Sequence, residues 1–327
     1  MVSGAVNGAS WGVMYRLLRI LAVAAAAGMF VVLVMGATVT NTGSEHGCGR
    51  SWPLCHGQLI PQFAVSTAIE FTHRAVVGVE SVLIIALAAG AIYLCRRKDI
   101  VLLSGVMVAF LFLQAGLGAW AVMYPQLAVV LALHFGVSLV AFASVLLVAA
   151  AIFEWGGGER LRSVAAPRGF IRYLYGLTAY TYVVVYLGAL VRHVDADEAC
   201  AGWPLCNGAV IPTFAGHVLI AFTHRVAAGL LVLGAVGLAV WARRLRQTRP
   251  DLARGAAVAC GLVVLQALSG AVVAFTNVDL FSALTHAALV GLFFGTLCYL
   301  CLHVIPVPRR VVLSGPSPRV EPPVAVG

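Results

Sequence analysis

Residues 69–74 read IEFTHR, and residues 220–225 read IAFTHR. Five of six letters agree, and the sixth leaves a carboxylate, Glu70, in the first copy where the second has Ala221. Working outward, the match continues. The stretch GCGRSWPLCHGQLIP (47–61) is answered by EACAGWPLCNGAVIP (198–212), with WPLC and IP recurring 151 residues on. Gly36 with Gly188, Cys48 with Cys200, Gln114 with Gln266 and His134 with His286 are each 152 apart. A repeat of this length, carrying matched histidines and cysteines, divides the chain into two tandem units joined by the polar segment EWGGGERLRSVAAPRG.

The composition says where such units live. Of the 327 residues, 61% are hydrophobic and only 10% charged, with a mean hydropathy of +0.99. Soluble domains carry about 25% charged residues, so the chain belongs in a bilayer. Eight apolar runs are long enough to cross about 30 Å of hydrocarbon: 17–40, 67–94, 100–122, 127–152, 173–192, 218–241, 255–276 and 280–304. The first outruns a signal-peptide core and no small-residue cleavage site follows it, so a retained helix is expected.

Eight spans put both termini on one side. With that side cytoplasmic, seventeen of the 21 basic residues are internal, Arg50 and Arg192 are external, and Arg74 and Arg225 fall within spans. That asymmetry sets the orientation in the membrane and accounts for the net charge of +9 without nucleic acid. The expected fold is an all-α polytopic membrane protein: two tandem four-helix bundles, related by a pseudo-two-fold axis along the membrane normal because an even number of spans gives both the same orientation. The division expected is 1–153, a linker at 154–172, 173–305, and a flexible cytoplasmic tail at 306–327.

Each external loop holds one cysteine pair, Cys48 with Cys55 and Cys200 with Cys206, on the oxidising side of the membrane. A disulfide closing a short loop fits better than a metal site, and a thiol redox role stays open. Cys95, Cys260, Cys298 and Cys301 have no repeat partner and read as small apolar residues.

Ionisable groups inside a span are costly, so their positions carry information. His73, His134, His224 and His286 all lie six or seven residues into their spans, about 10 Å below the outer surface. Each unit thereby offers two imidazoles at one depth, on its second and fourth helices, an arrangement that suits the two axial positions of a haem iron. Interhelical hydrogen bonding is the plainer use of a single such histidine. Zinc or copper would be short of ligands. Arg74 and Arg225 could bind haem propionates or reach up to lipid phosphate. Glu70 precedes His73 by three residues and shares its helix face, where a carboxylate can move a proton or orient a reacting group. His46, His56, His193 and His217 lie in or beside the external loops and are not expected to ligate; His303 is at the wrong end, and Glu80 has no assigned role.

The run TNTGSEHGCGRSWPLCHGQLIP, followed by IEFTHR, His134, His224 and His286, resembles the haem A synthase family over about residues 17–305. The resemblance implies a two-step oxidation of the C8 methyl group of haem O to a formyl group, giving haem A for cytochrome oxidase. It also implies a substrate haem between His73 and His134 and a haem b cofactor between His224 and His286. Glu70 matches the family's essential carboxylate, and Cys48 with Cys55 its first-loop pair. Glu45, His46 and Glu80 depart from the family pattern. Haem O synthase and cytochrome oxidase assembly proteins are the implied partners, with an electron donor and a homo-oligomeric state left open. A substrate haem with two axial ligands has no open iron position, so either His73 or His134 is expected to let go during turnover. The alternative is a dihaem b-type membrane electron-transfer protein, against which the unmatched Glu70 argues.

Overall fold

The computed structural model describes residues 8–62, 64–95, 97–154 and 164–305. The expected tail at 306–327 and part of the linker, residues 155–163, lie outside the described residues, as do Arg96, Arg160, Arg162, Arg309, Arg310 and Arg319 of the charge count. Among the described residues the chain is all-helical: α1 (Gly8–Asn41), α2 (Val65–Cys95), α3 (Lys98–Met123), α4 (Ala128–Glu154), α5 (Arg168–His193), α6 (Gly216–Arg244), α7 (Pro250–Phe275) and α8 (Leu280–His303). All eight are long and apolar enough to cross a membrane.

Several helices outrun the apolar stretches that foretold them, because helix ends are set by capping rather than by hydropathy. α5 starts at Arg168, directly after Pro167, and α7 starts with Pro250 at its first position. Proline there has its φ preset and loses no intrahelical hydrogen bond. α8 starts as expected: Asp279 accepts from the backbone N–H groups of Phe281 and Ser282 at 3.0 and 3.4 Å, satisfying donors that an uncapped helix leaves open.

α1, α4, α5 and α8 pack together at the centre, with α2 and α3 on one side and α6 and α7 on the other. The contacts of α1 with α8 are matched by those of α5 with α4, and α1 with α4 by α5 with α8. This is the pattern an exchange of the two repeats leaves unchanged. Between apolar helices in lipid, association depends on close packing rather than on the hydrophobic effect. α8 supplies this with Gly291 and Gly295, one turn apart. A Cβ built at Gly291 would meet Leu33 of α1 at 3.6 Å and Leu139 of α4 at 3.8 Å, and one at Gly295 would meet Leu146 and Phe142 of α4 at 3.0 and 3.2 Å. Phe142 and Phe294 join the core that also holds Met29, Leu33, Ile84 and Leu87, while Phe170, Leu174, Leu238, Phe293 and Leu297 fill a second. At one end of the molecule stand the two cysteine loops, with Thr38–Asn41 of α1 and Arg192 of α5 leading into them.

Candidate functional site: two histidine layers under two cysteine loops

Both cysteine pairs are disulfides, Cys48–Cys55 and Cys200–Cys206. The loops they close repeat one another closely. Cys55 bridges to Gln58 and Cys206 to Ala209. His56 and Asn207 occupy the same left-handed backbone position, at φ 51° and 54°, a conformation that Asn and His tolerate better than most side chains. His56 Nε2 bonds the Gly47 carbonyl at 2.9 Å, and Asn207 bonds Ala201 N and Ala199 O at 2.9 and 3.0 Å. His56 is a loop residue, as expected.

The arginine after each histidine rises into its loop. Arg74 donates to the carbonyls of Ser51 and Leu54 at 2.8 and 3.2 Å, and Arg225 to those of Gly202 and Leu205, both at 2.8 Å. The remaining guanidinium nitrogen is where the copies part. Arg74 Nη2 makes an ion pair with Glu70, whereas Arg225 Nη2 donates directly to the Cys200 carbonyl. The other Glu70 oxygen accepts from the Cys48 backbone N–H at 2.7 Å. Glu70 is therefore inserted between arginine and cysteine loop, buried at 4% exposure, and Ala221 is what remains when the arginine spans that gap alone. A buried carboxylate is tolerated here because both oxygens have charge-assisted or backbone partners.

Below the loops lie the histidines. Each ring packs on a glycine of a neighbouring helix: His73 on Gly36, His134 on Gly118, His224 on Gly188 and His286 on Gly270. A Cβ built at those glycines would approach the ring Cε1 atoms to 3.5, 3.2, 2.7 and 3.1 Å respectively. The sequence flagged Gly36 and Gly188 as a repeat pair, but Gly118 and Gly270 went unnoticed although they are also 152 apart. His73 and His134 come within electrostatic reach of each other, as do His224 and His286. His193, at the last turn of α5, also reaches His134.

The layer holds polar atoms that the protein itself does not satisfy. Nδ1 of His73, of His134 and of His224, together with Oε1 of Gln114 and of Gln266, are buried without a hydrogen-bond partner. Such atoms are rare in folded proteins and ask for an explanation. Two imidazoles per unit, relieved of steric crowding by glycine and three of the four carrying an unsatisfied nitrogen, fit a flat iron macrocycle. They do not fit a bare metal ion: among the described residues no group of three His, Cys, Asp or Glu side chains is placed to hold one.

A second polar group, at the opposite end of the molecule, was not foreseen. Arg249 is 1% exposed and binds Asp251 through two nitrogens at 3.0 and 2.7 Å, Val164 O at 2.8 Å and His303 O at 2.7 Å. His303 links Asp251 of α7 to Glu154 of α4 at 2.9 and 2.8 Å, and Tyr299 donates to Glu154 at 2.6 Å. This group fastens the two repeats together far from the histidine layer. Glu80 is also buried, at 3%, with its carboxylate against Gly28 of α1.

The fold and its paired histidines define a polytopic helical membrane protein of the class that a family model describes as cytochrome oxidase assembly protein, which matches residues 61–298. Its relatives narrow this. The chain is 43% identical to a haem A synthase of an Exiguobacterium species, over 84% of this chain and 89% of that protein. It is 40% identical to the haem A synthase of Symbiobacterium thermophilum (91% and 98% covered) and 39% identical to that of Bacillus licheniformis (91% and 99% covered). The chain belongs to the haem A synthase family.

Proposed function

We propose that this protein converts haem O to haem A, oxidising the C8 methyl group to a formyl group in two steps. The first unit takes the substrate haem between His73 and His134, and the second holds haem b between His224 and His286. The observation that carries the enzymatic reading is the carboxylate asymmetry: Glu70 stands one turn from His73 with both oxygens anchored, and Ala221 stands at the matching place beside His224. An electron carrier with two like haems has no use for that difference.

Haem b, when bound, supplies one-electron transfer to the reacting site. The chain's own residues do the rest. His73 and His134 orient the substrate, while the buried, anchored Glu70 fixes where a proton is taken up or delivered as the methyl group is oxidised. Arg74 and Arg225 offer positive charge at the level of the loops, which suits propionates as well as the carbonyls they bond. The cysteine loops face the oxidising side and both termini are cytoplasmic, a reading supported by the distribution of basic residues. Haem O synthase, cytochrome oxidase assembly proteins and an electron donor are the expected partners.

The test is reversed-phase chromatography of haems extracted from cells co-expressing the chain with a haem O synthase. Haem A from the wild type, with only haem O or its hydroxylated form from Glu70→Ala, is the expected result. Haem O left untouched by a folded, haem-loaded wild type would overturn the proposal in favour of electron transfer.

A further inference from the structure

The two histidines on α2 and α6 have like surroundings: a glycine behind the ring and an unpartnered Nδ1. The two on α4 and α8 do not. In the second unit Ser269 donates to the Gln266 carbonyl at 2.8 Å and lies 2.9 Å from His286 Nδ1. A hydroxyl whose hydrogen is committed to a carbonyl can meet an imidazole nitrogen only as acceptor, so His286 carries its proton on Nδ1 and its lone pair on Nε2. That Nε2 receives the Gln266 amide at 3.0 Å.

In the first unit the residue 152 positions before Ser269 is Leu117, and His134 Nδ1 is buried without a partner. The Gln114 amide is drawn aside, donating to the Ser138 hydroxyl and standing 3.3 Å from His134 Nε2. Ser138 in turn donates to the backbone carbonyl of His134 at 2.8 Å, and its counterpart in the second unit is Val290. Between the copies a serine has moved from a place where it holds the imidazole to one where it holds the glutamine.

We infer that Ser269 is the positioning residue that makes His286 a fixed axial ligand, and that leucine at position 117 leaves its counterpart His134 a more readily exchanged one. This rests on the haem reading above and deepens it. A cofactor must stay, whereas a substrate must enter and its product leave, and the difference is written into the group behind one histidine of each pair. A hydrogen bond to the far nitrogen of a ligating imidazole fixes its tautomer and ring orientation and strengthens the ligand. His134 lacks it where its counterpart His286 has it, so the haem of the first unit is held less firmly at its α4 ligand than the haem of the second is at its α8 ligand.

The experiment follows haem transfer from the purified, haem-loaded full-length chain to apomyoglobin, with the low-spin haem spectrum recorded beforehand. The wild type is expected to lose haem in a fast phase, from the first unit, and a slow one, from the second. Ser269→Ala should quicken the slow phase about 10–100-fold and Ser269→Thr should restore it. Leu117→Ser, which places a hydroxyl behind His134, should slow the fast phase by a similar factor. Unchanged rates in Ser269→Ala and Leu117→Ser, with haem content intact, would overturn this inference and leave the haem reading standing. A wild type that binds no haem would sink both.

Discussion

The Glu70 side chain accepts a hydrogen bond from the backbone N–H of Cys48 at 2.7 Å, so the carboxylate missing from the second unit is tied to the disulfide-closed loop of the first. The same side chain pairs with Arg74, which grips that loop at Ser51 and Leu54. Any substitution of Glu70 therefore touches both chemistry and loop, and the two are separable. Glu70→Gln keeps one oxygen that can accept from Cys48 and removes the capacity to hold a proton together with the charge paired to Arg74, whose own bonds to Ser51 and Leu54 do not involve Glu70. Haem per protein, read by absorbance, should stay at the wild-type level while haem A formation falls about 10²–10⁴-fold. Full conversion by Glu70→Gln would exclude proton transfer by this residue.

Glycines behind the histidines give a graded expectation. A methyl group at Gly188 would come within 2.7 Å of the His224 ring, far inside van der Waals contact, whereas one at Gly36 would sit at 3.5 Å from His73, an ordinary distance. Gly188→Ala should displace His224 and strip haem b from the purified protein. Gly36→Ala should leave haem content nearly unchanged, as should Gly12→Ala, where nothing lies within 4 Å. Equal haem retention by Gly188→Ala and Gly12→Ala would show that the imidazole does not need that space.

Arg225 makes three bonds to carbonyls of its loop and has no carboxylate to share the load. Hydrogen bonds from a charged donor contribute about 1.5–3 kcal/mol each, less when the site is partly exposed. Arg225→Leu should destabilise the second loop by about 2–4 kcal/mol, seen as a lower midpoint of thermal unfolding and faster reduction of Cys200–Cys206 by added thiol. A variant with wild-type melting and thiol reactivity would count against the arginine as loop anchor.

How far the sequence could be read depended on what each residue costs in a membrane. The eight spans were legible because only apolar residues cross lipid cheaply, and the histidines were legible because they are not apolar and recur at one depth. Glu70 stood out against Ala221. Arg249, Asp251, His303 and Glu154 did not, since arginines at helix ends read as topology charges and Glu154 is 149 residues from His303. Nothing short of the folded chain brings them together. Gly118 and Gly270 were hidden by the abundance of glycine in membrane helices. Ser269 could have been found by comparing the copies position by position, where Leu117 faces it.

That buried cluster carries its own expectation. Removing one member of a buried ion pair leaves an uncompensated charge, at a cost of about 3–5 kcal/mol. Arg249→Leu should therefore lower the unfolding midpoint of the detergent-solubilised protein sharply. Gln at Glu154 keeps an oxygen for Tyr299 and His303 and should cost less. The reverse order would mean that Glu154, rather than Arg249, is the centre of the clamp between repeats.

The central claim is the division of labour between the two histidine pairs, and haem composition tests it most directly. Haems would be extracted from His73→Ala/His134→Ala and His224→Ala/His286→Ala, each purified from cells that make haem O. The account predicts haem b alone in the first variant, and haem O without haem b in the second, with no haem A in either. Haem b lost equally from both variants, or haem O retained by the first, would contradict it.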